Sequence, residues 1–114
     1  DDDDALDVVI LTTFPLDPGI LVRVRPVAVM EMIDDGESDF KVLAVPADDK
    51  RWDDTQDLKD LNQHALKEYQ HFFETYKQLK GKPVEVEIKG YKGKKEAMEA
   101  VEKSIKLYKE KFAR

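Results

Sequence analysis

The chain of 114 residues is long enough for one domain with a single hydrophobic core, spanning residues 1–114. Its 41% hydrophobic content favours a folded protein, the absence of cysteine excludes disulfides and thiolate chemistry, and the net charge of −6 argues against nucleic-acid binding. No apolar run approaches the ~20 residues of a membrane span and no signal peptide is recognisable, so we expect a cytoplasmic protein that binds neither membranes nor nucleic acids.

The acidic residues differ between the two halves of the chain. Residues 1–60 hold all 15 Asp, two Glu and six Lys or Arg, which gives this half a net charge of −11. Residues 61–114 hold eight Glu, no Asp and 13 Lys or Arg. Asp favours turns, caps and metal sites, whereas Glu and Lys favour helix surfaces. We therefore expect strands joined by acidic loops first, then charged helices, with the function in the acidic loops.

Three strands are predicted in the first half. The β-branched apolar run at 6–14 indicates a buried strand, and residues 20–33 alternate in polarity, with Pro26 marking a bend, a bulge or a sheet edge. An acidic loop at 34–39 leads to a third strand at 40–45. Because the connections have hairpin length, the pattern predicts an antiparallel sheet or barrel.

The second half changes to a helical period. Apolar residues at three- and four-residue steps predict a helix at about 58–80, and a similar stripe predicts a second helix at 94–112. Between them, residues 84–88 alternate as a strand and residues 90–93 are interpreted as a turn. The predicted fold class is α+β, mainly β, with two packed helices.

A cluster of carboxylates opens the chain. Asp2, Asp4 and Asp7 stand at positions i, i+2 and i+5, and a turn around Ala5 can bring the three together. Carboxylates that converge in a partly dry site repel one another, and a hard cation such as Mg²⁺ or Mn²⁺ removes the conflict. An acidic tail would have a similar composition, so this motif alone leaves both interpretations open.

Further polar residues match such a site. Asp34 and Asp39 bracket a loop that contains a glycine, and Lys41 shares a strand face with Asp39. Downstream, Tyr76 and Lys77 close the aromatic helix, although spacing alone places Tyr76 in the core. Carboxylates with nearby lysine and tyrosine are typical of a site for metal ions and a polyphosphate.

The sequence resembles the soluble family I inorganic pyrophosphatases. The family motif is matched by Asp2-Asp3-Asp4-Ala5-Leu6-Asp7-Val8, which departs from it at Ala5, where proline is usual. The likeness continues in order through nearly the whole chain, in blocks that include Val22-Arg23-Val24-Arg25-Pro26-Val27, Asp39-Phe40-Lys41-Val42, His71-Phe72-Phe73-Glu74 and Tyr76-Lys77.

The resemblance implies an OB-like antiparallel barrel and an enzyme that hydrolyses pyrophosphate to two phosphates with Mg²⁺, Mn²⁺ or another divalent cation. It also implies a role for each site residue. Asp4 would be the general base or would orient the attacking water. Phosphate oxygens would be bound by Lys41, Tyr76 and Lys77, and metal ions by Asp2, Asp7, Asp34 and Asp39.

The likeness covers the C-terminal two-thirds of the family's chain. Members of the family carry several strands before the motif with which this sequence begins, so we expect an incomplete barrel and an inactive or severely impaired fragment. Prokaryotic members form hexamers, which implies a homo-oligomer with His71 near a subunit contact. Unpaired strand edges are a second reason to expect self-association.

Two other kinds of site do not fit the sequence. A phosphatase with an Asp-x-Asp nucleophile needs a strand before the motif, whereas here the strand follows it. An EF-hand calcium loop is excluded because the sequence lacks the glycine and the glutamate that such a loop requires. A small acidic OB-like domain for binding or assembly remains the alternative, with Asp34 and Asp39 as turn residues and no metal. By alternation with valines, Arg23 and Arg25 are expected on the solvent face of a strand or in its ion pairs, and Trp52 is expected to anchor a loop.

Overall fold

In the part of the chain that the structure describes, a five-stranded sheet carries the fold and has one helix against each face. The computed structural model describes residues 6–12, 15–76 and 86–112. In chain order the elements are β1 (Asp7–Ile10), β2 (Val24–Asp34), β3 (Glu37–Ser38), β4 (Lys41–Pro46), α1 (Gln63–Thr75), β5 (Val86–Lys92) and α2 (Lys94–Phe112). Two 3₁₀ turns, Lys50–Trp52 and Leu58–Asp60, lie between β4 and α1. Neither α1 nor α2 has the length and apolar character that crossing a membrane requires.

Strand β2 is the centre of the sheet. It pairs antiparallel with β3, β4 and β5, as the hairpin-length connections predict. The turn from β2 to β3 is a two-residue hairpin in which Asp35 (φ 52°) and Gly36 (φ 82°) both have positive φ. An Asp-Gly pair is the usual solution for such a turn, because these two residues tolerate the left-handed conformation. The predicted acidic loop at 34–39 is thus a tight hairpin.

Strand β1 departs from the predicted arrangement, because it pairs parallel with β4. Its register sets Asp7 beside Lys41 and Ile10 beside Ala44. The connection from β1 to β2 is long enough for β1 to lie beyond β4 instead of forming a hairpin with β2. The expectation of a wholly antiparallel sheet was therefore wrong at this strand.

Bulges curl the sheet. The register of β2 against β4 shifts between Pro26 and Ala28, which confirms the irregularity predicted at Pro26. In the pairing of β2 with β5, Glu31 faces Gly90 and Met32 faces Ile88. Lys89 is therefore an extra residue, a bulge beside Gly90, whose φ is 138°. The turn predicted at 90–93 was wrong, because this bulge lets β5 continue to Lys92.

The first helix begins later than predicted. Leu58–Asp60 is a separate 3₁₀ turn capped by Asp57, and the backbone of Leu61 and Asn62 is extended, which breaks the helical path. Asn62 then caps α1, since its Oδ1 accepts hydrogen bonds from the amides of His64 and Ala65. Residues 77–80 of the predicted helix lie outside the described residues. The predicted helix at 94–112 is confirmed.

Core residues separate into two clusters on opposite faces of the sheet. Leu43 packs with Val27, Val45 and Leu66 of α1, whereas its neighbour Val42 packs with Val29 and with Ala97 of α2. Successive strand residues point to opposite faces, so the two helices cover the two faces of the sheet. Trp52 packs against the first cluster, as expected of a loop anchor.

Two polar residues tie the loops to this core. Nη2 of Arg25 donates to the carbonyls of Trp52 (2.6 Å) and Thr55 (2.9 Å), so Arg25 holds the loop instead of facing solvent as predicted. Oδ1 of Asp57 accepts from the amides of Leu58 (2.7 Å) and Lys94 (2.9 Å), which joins the 3₁₀ turn to the first residue of α2.

Candidate functional site

Lys41 lies between two carboxylates at one end of β4. Its Nζ is 2.5 Å from Oδ2 of Asp7 and 3.0 Å from Oδ2 of Asp39. The parallel register of β1 and β4 sets Asp7 beside Lys41, and Asp39 precedes Lys41 by two residues. The amide of Asp39 donates to the carbonyl of Met32 at 2.8 Å, which fixes this carboxylate against β2.

The ammonium of Lys41 is buried and remains charged. Lys41 is 9% exposed, and its Nζ lies 5.8 Å from the ring centre of Phe73 in α1. Burial lowers the pKa of Lys41, but its hydrogen bonds to Asp7 and Asp39 and their charges raise it by more, so the pKa lies above its usual value. Two carboxylates therefore meet at a permanent positive charge.

The same carboxylates line an open cleft of about 1010 Å³ between the sheet and α2. One wall holds Asp7, Asp34 and Asp39, and the opposite wall is formed by side chains of α2. The lining includes eight carboxylate side chains and one lysine: Asp7, Glu31, Asp34, Asp35, Glu37, Asp39, Glu96, Glu99 and Lys103. This charge favours cations, and an anionic ligand could enter only together with them.

Most of the described site residues predicted from the sequence come together. Asp7, Asp39 and Lys41 are in direct contact, and Asp34 lines the same cleft at the end of β2. Tyr76, which is 37% exposed, follows the last residue of α1 and is not a core residue. Asp2, Asp4 and Lys77 lie outside the described residues.

A chain of rings links Tyr76 to Lys41. The ring of Tyr76 is 5.5 Å from Phe72, Phe72 is 5.1 Å from Phe73, and Phe73 lies under the Lys41 ammonium. Sequence reasoning missed Phe73, although its spacing of three residues from Tyr76 puts the two on one side of a helix. The contribution of α2 to the cleft was also missed, because periodicity alone does not tell what a charged helix faces.

The donor chemistry fits a divalent metal. Within the described ranges, no group of three histidine, cysteine or acidic side chains is close enough to hold a metal ion by itself. However, Asp7 and Asp39 already present oxygens to one cationic position, and hard cations prefer oxygen ligands. A metal at that position needs further oxygen ligands, which additional carboxylates, water or phosphate oxygens can supply.

Comparisons with known proteins give one consistent result. The sequence profile described as inorganic pyrophosphatase matches residues 1–109. The inorganic pyrophosphatase of Haloferax volcanii is 47% identical over 114 residues, covering 99% of this chain and 63% of that protein. The enzyme of Geobacillus stearothermophilus is 40% identical over 109 residues, covering 96% and 65%. The chain thus spans less than two-thirds of the length of these relatives.

Solved structures agree with the sequence comparisons. The inorganic pyrophosphatase of Thermus thermophilus superimposes with a TM-score of 0.89 at 43% identity, covering 95% of this chain and 63% of that one. The Helicobacter pylori enzyme gives a TM-score of 0.87 at 37% identity, covering 95% and 64%. These superpositions confirm the predicted OB-like, mainly β fold with two helices.

Proposed function

The chain belongs to the inorganic pyrophosphatase family, and on that premise we propose that its acidic cleft binds divalent metal ions with pyrophosphate and serves its hydrolysis to two phosphates. The family is one of hydrolases, which sets the reaction class. The observation that carries the proposal is the meeting of Asp7 and Asp39 at the buried Lys41 ammonium.

Four carboxylates are proposed as metal ligands. Asp7 and Asp39, together with Asp2, would hold the metal at the position that the ammonium now marks, and Asp34 with Asp39 would hold metal that enters with the substrate. When bound, Mg²⁺ or another divalent ion makes water more acidic and offsets charge on the leaving phosphate. The negative cleft supports this assignment, since it lowers the free energy of any cation within it.

The remaining residues would act on the substrate and the water. Lys41, Tyr76 and Lys77 are proposed to bind phosphate oxygens, and Asp4 is proposed to accept a proton from the attacking water or to orient it. Lys41 supports its role by remaining protonated, because a buried ammonium is a strong donor to an anionic oxygen. Its contacts with Asp7 and Asp39 also relieve repulsion between these carboxylates before a metal binds.

We further propose that the protein acts in the cytoplasm and associates with copies of itself, as a hexamer if the source is prokaryotic. Exposed residues on α1 support a contact there, since His71 is exposed and Phe72 retains 52% of its accessible surface. Large apolar side chains on an exposed helix surface are frequent in protein interfaces.

A second candidate is an acidic OB-like domain that binds or assembles without catalysis. It is favoured by the lack, among the described residues, of three ligands gathered for a metal. In that case Asp39 and Lys41 would form only a structural ion pair, and Asp34 would be only a turn residue.

Phosphate release separates the two candidates. The 114-residue chain is incubated with pyrophosphate, with and without Mg²⁺, beside Asp7→Asn and the exposed control Asp54→Asn. We expect slow release that needs Mg²⁺, disappears in Asp7→Asn and persists in Asp54→Asn. If the folded chain releases no phosphate with Mg²⁺, and titration shows that it binds neither Mg²⁺ nor pyrophosphate, the non-catalytic candidate replaces the proposed function.

A further inference from the structure

The aromatic ring of Phe73 is a contact of Lys41 to which no function has been assigned. The ammonium lies 5.8 Å from the ring centre, inside the distance at which a cation is attracted to an aromatic face. Since Lys41 is only 9% exposed, little water competes with the ring. Such an attraction is stronger when the cation is desolvated.

The contacts of Lys41 differ in what happens to them when ligands arrive. Asp7 and Asp39 hold the ammonium by hydrogen bonds of 2.5 and 3.0 Å, but both are proposed to turn their oxygens to metal ions. A lysine side chain has four rotatable methylene groups, so an ammonium that loses both partners gains freedom and access to water. The Phe73 ring carries no charge and has no oxygen to give to a metal, so its contact can persist.

The ring is itself held in place. Phe73 is half-buried on α1 and meets Phe72 edge to face, with ring centres 5.1 Å apart and an interplanar angle of 87°. Phe72 in turn contacts Tyr76. Edge-to-face pairs of this kind stabilise a defined ring orientation.

We propose that Phe73 is a positioning residue, whose ring holds the displaced Lys41 ammonium beside the site when a metal ion takes its place between Asp7 and Asp39. The ammonium then remains available to a phosphate oxygen of the bound diphosphate. Attraction of an ammonium to a ring face does not require its N–H bonds to point at the ring. The ammonium can therefore direct its N–H bonds to a phosphate oxygen without leaving the ring. This inference rests on the proposed function.

A purely structural role for Phe73 predicts a different pattern. If the residue only fills space, an aliphatic side chain should lower stability and leave the affinity of the folded chain for a diphosphate unchanged. If the ring positions Lys41, diphosphate affinity should follow the presence of a ring, and affinity for Mg²⁺ alone should not change.

The experiment compares Phe73→Leu, which removes the ring, with Phe73→Tyr, which keeps it. Tyr108→Leu on α2 is the matched control, because it removes an exposed aromatic residue that does not line the cleft. Each folded protein is titrated by calorimetry, first with Mg²⁺ alone and then, at saturating Mg²⁺, with the non-hydrolysable analogue imidodiphosphate. We expect Phe73→Leu to weaken imidodiphosphate binding by about 3- to 30-fold. Phe73→Tyr and Tyr108→Leu should bind it like the unmodified chain.

Several outcomes overturn the inference. Unchanged imidodiphosphate binding in Phe73→Leu, or equal losses in Phe73→Leu and Phe73→Tyr, would reduce Phe73 to a packing residue. If the unmodified chain does not bind imidodiphosphate with Mg²⁺, the proposed function fails and the inference fails with it.

A measurement on the unmodified chain covers the case in which Phe73→Leu does not fold. Nuclear Overhauser contacts between the Lys41 ε-methylene protons and the Phe73 ring are recorded in the free protein and with Mg²⁺ and imidodiphosphate bound. The inference requires these contacts in both states, and their loss in the bound state contradicts it.

Discussion

At Lys41, a positive charge occupies the place between two carboxylates that we assign to a metal. Lys41→Met keeps the apolar stem and removes the charge, so a cation no longer competes with an ammonium for Asp7 and Asp39. We expect the affinity for Mg²⁺ alone to rise about tenfold, because a unit charge a few ångströms away contributes on the order of 1–4 kcal/mol near a surface. Imidodiphosphate binding should weaken in the same variant, and calorimetry measures both.

A rise in Mg²⁺ affinity together with a fall in imidodiphosphate affinity is the result that distinguishes the proposed role of Lys41. Lys59→Met serves as the control, because Lys59 is an exposed lysine in the 3₁₀ turn before α1. If Lys41→Met weakened binding of Mg²⁺ and imidodiphosphate alike, the ammonium would not stand in for a metal.

Tyr91 makes the stability of the fold depend on pH in the alkaline range. Its hydroxyl donates to the carbonyl of Leu66 at 2.5 Å, and burial raises the pKa of Tyr91 to about 12. An unfolded tyrosine loses its proton near pH ~10. Between these values the folded chain retains a proton that the unfolded chain has lost, so the free energy of unfolding falls as pH rises.

Tyr91→Phe should therefore make the stability less sensitive to pH between about 10 and 12. It should also lower the free energy of unfolding at neutral pH by about 1 kcal/mol, because the Leu66 carbonyl loses its donor. Urea unfolding at several pH values measures both effects. Identical slopes for the variant and the unmodified chain would contradict the assignment of Tyr91.

Residue types could be predicted more readily than contacts. Asp7, Asp34, Asp39 and Lys41 were identified from their spacing. The structure brings the three carboxylates to one cleft and sets Lys41 in contact with Asp7 and Asp39. The contact of Asp7 with Lys41 could not be predicted, because it depends on a parallel pairing between strands far apart in the sequence. The contact of Lys41 with Phe73 depends on how α1 packs against the sheet, which no local pattern encodes.

Among the elements, α2 begins in an unusual way. The carbonyl of Gly93 accepts from the amide of Ala97, which puts Gly93 at the capping position, and Asp57 caps the helix from another part of the chain. A Cβ atom on Gly93 would lie 2.7 Å from Oδ1 of Asp57, closer than real contacts allow. The absence of a side chain at Gly93 is therefore what lets Asp57 reach the helix.

Gly93→Ala should lower the melting temperature by about 4 °C, the shift that about 1 kcal/mol produces in a domain of this size. In the Asp57→Ala background the same substitution should cost clearly less, because the opposing oxygen is gone. Thermal melting of the four proteins completes the double-mutant cycle. Additive losses would mean that Gly93 and Asp57 do not interact in this way.

Element boundaries show where local patterns are sufficient. Helix α2 was predicted over its full length, because a regular helical period of apolar residues over a helix of 19 residues defines it without help from a capping residue. The start of α1 was predicted too early, because Leu58 and Leu61 fit its period while Asp57 and Asn62 impose two separate caps. A pattern of apolar residues does not show where the backbone leaves the helix.

For the whole molecule, the arrangement of the sheet bears on assembly. In the described parts of the chain β1 pairs only with β4, and Val8 on this strand is 42% exposed. Strand edges with exposed apolar residues recruit other chains unless charges protect them. Light scattering of the 114-residue chain should therefore show a mass above that of a monomer, increasing with concentration.

Val8→Lys is the matched variant for that measurement, because a lysine on an edge strand opposes pairing. We expect it to reduce the mean mass without lowering the melting temperature. A single monomer species at every concentration of the unmodified chain would show that β1 does not recruit a second copy.

Calorimetric titration with Mg²⁺ shows whether Asp7 and Asp39 form a metal site that the Lys41 ammonium occupies in the absence of metal. Asp7→Asn, Asp39→Asn and the exposed Asp54→Asn each remove one negative charge, so net charge is matched across the three variants. We expect saturable binding to the unmodified chain, a loss of affinity of at least about tenfold in Asp7→Asn and Asp39→Asn, and little change in Asp54→Asn. Equal affinities in all four folded proteins would show that Asp7 and Asp39 do not form a metal site.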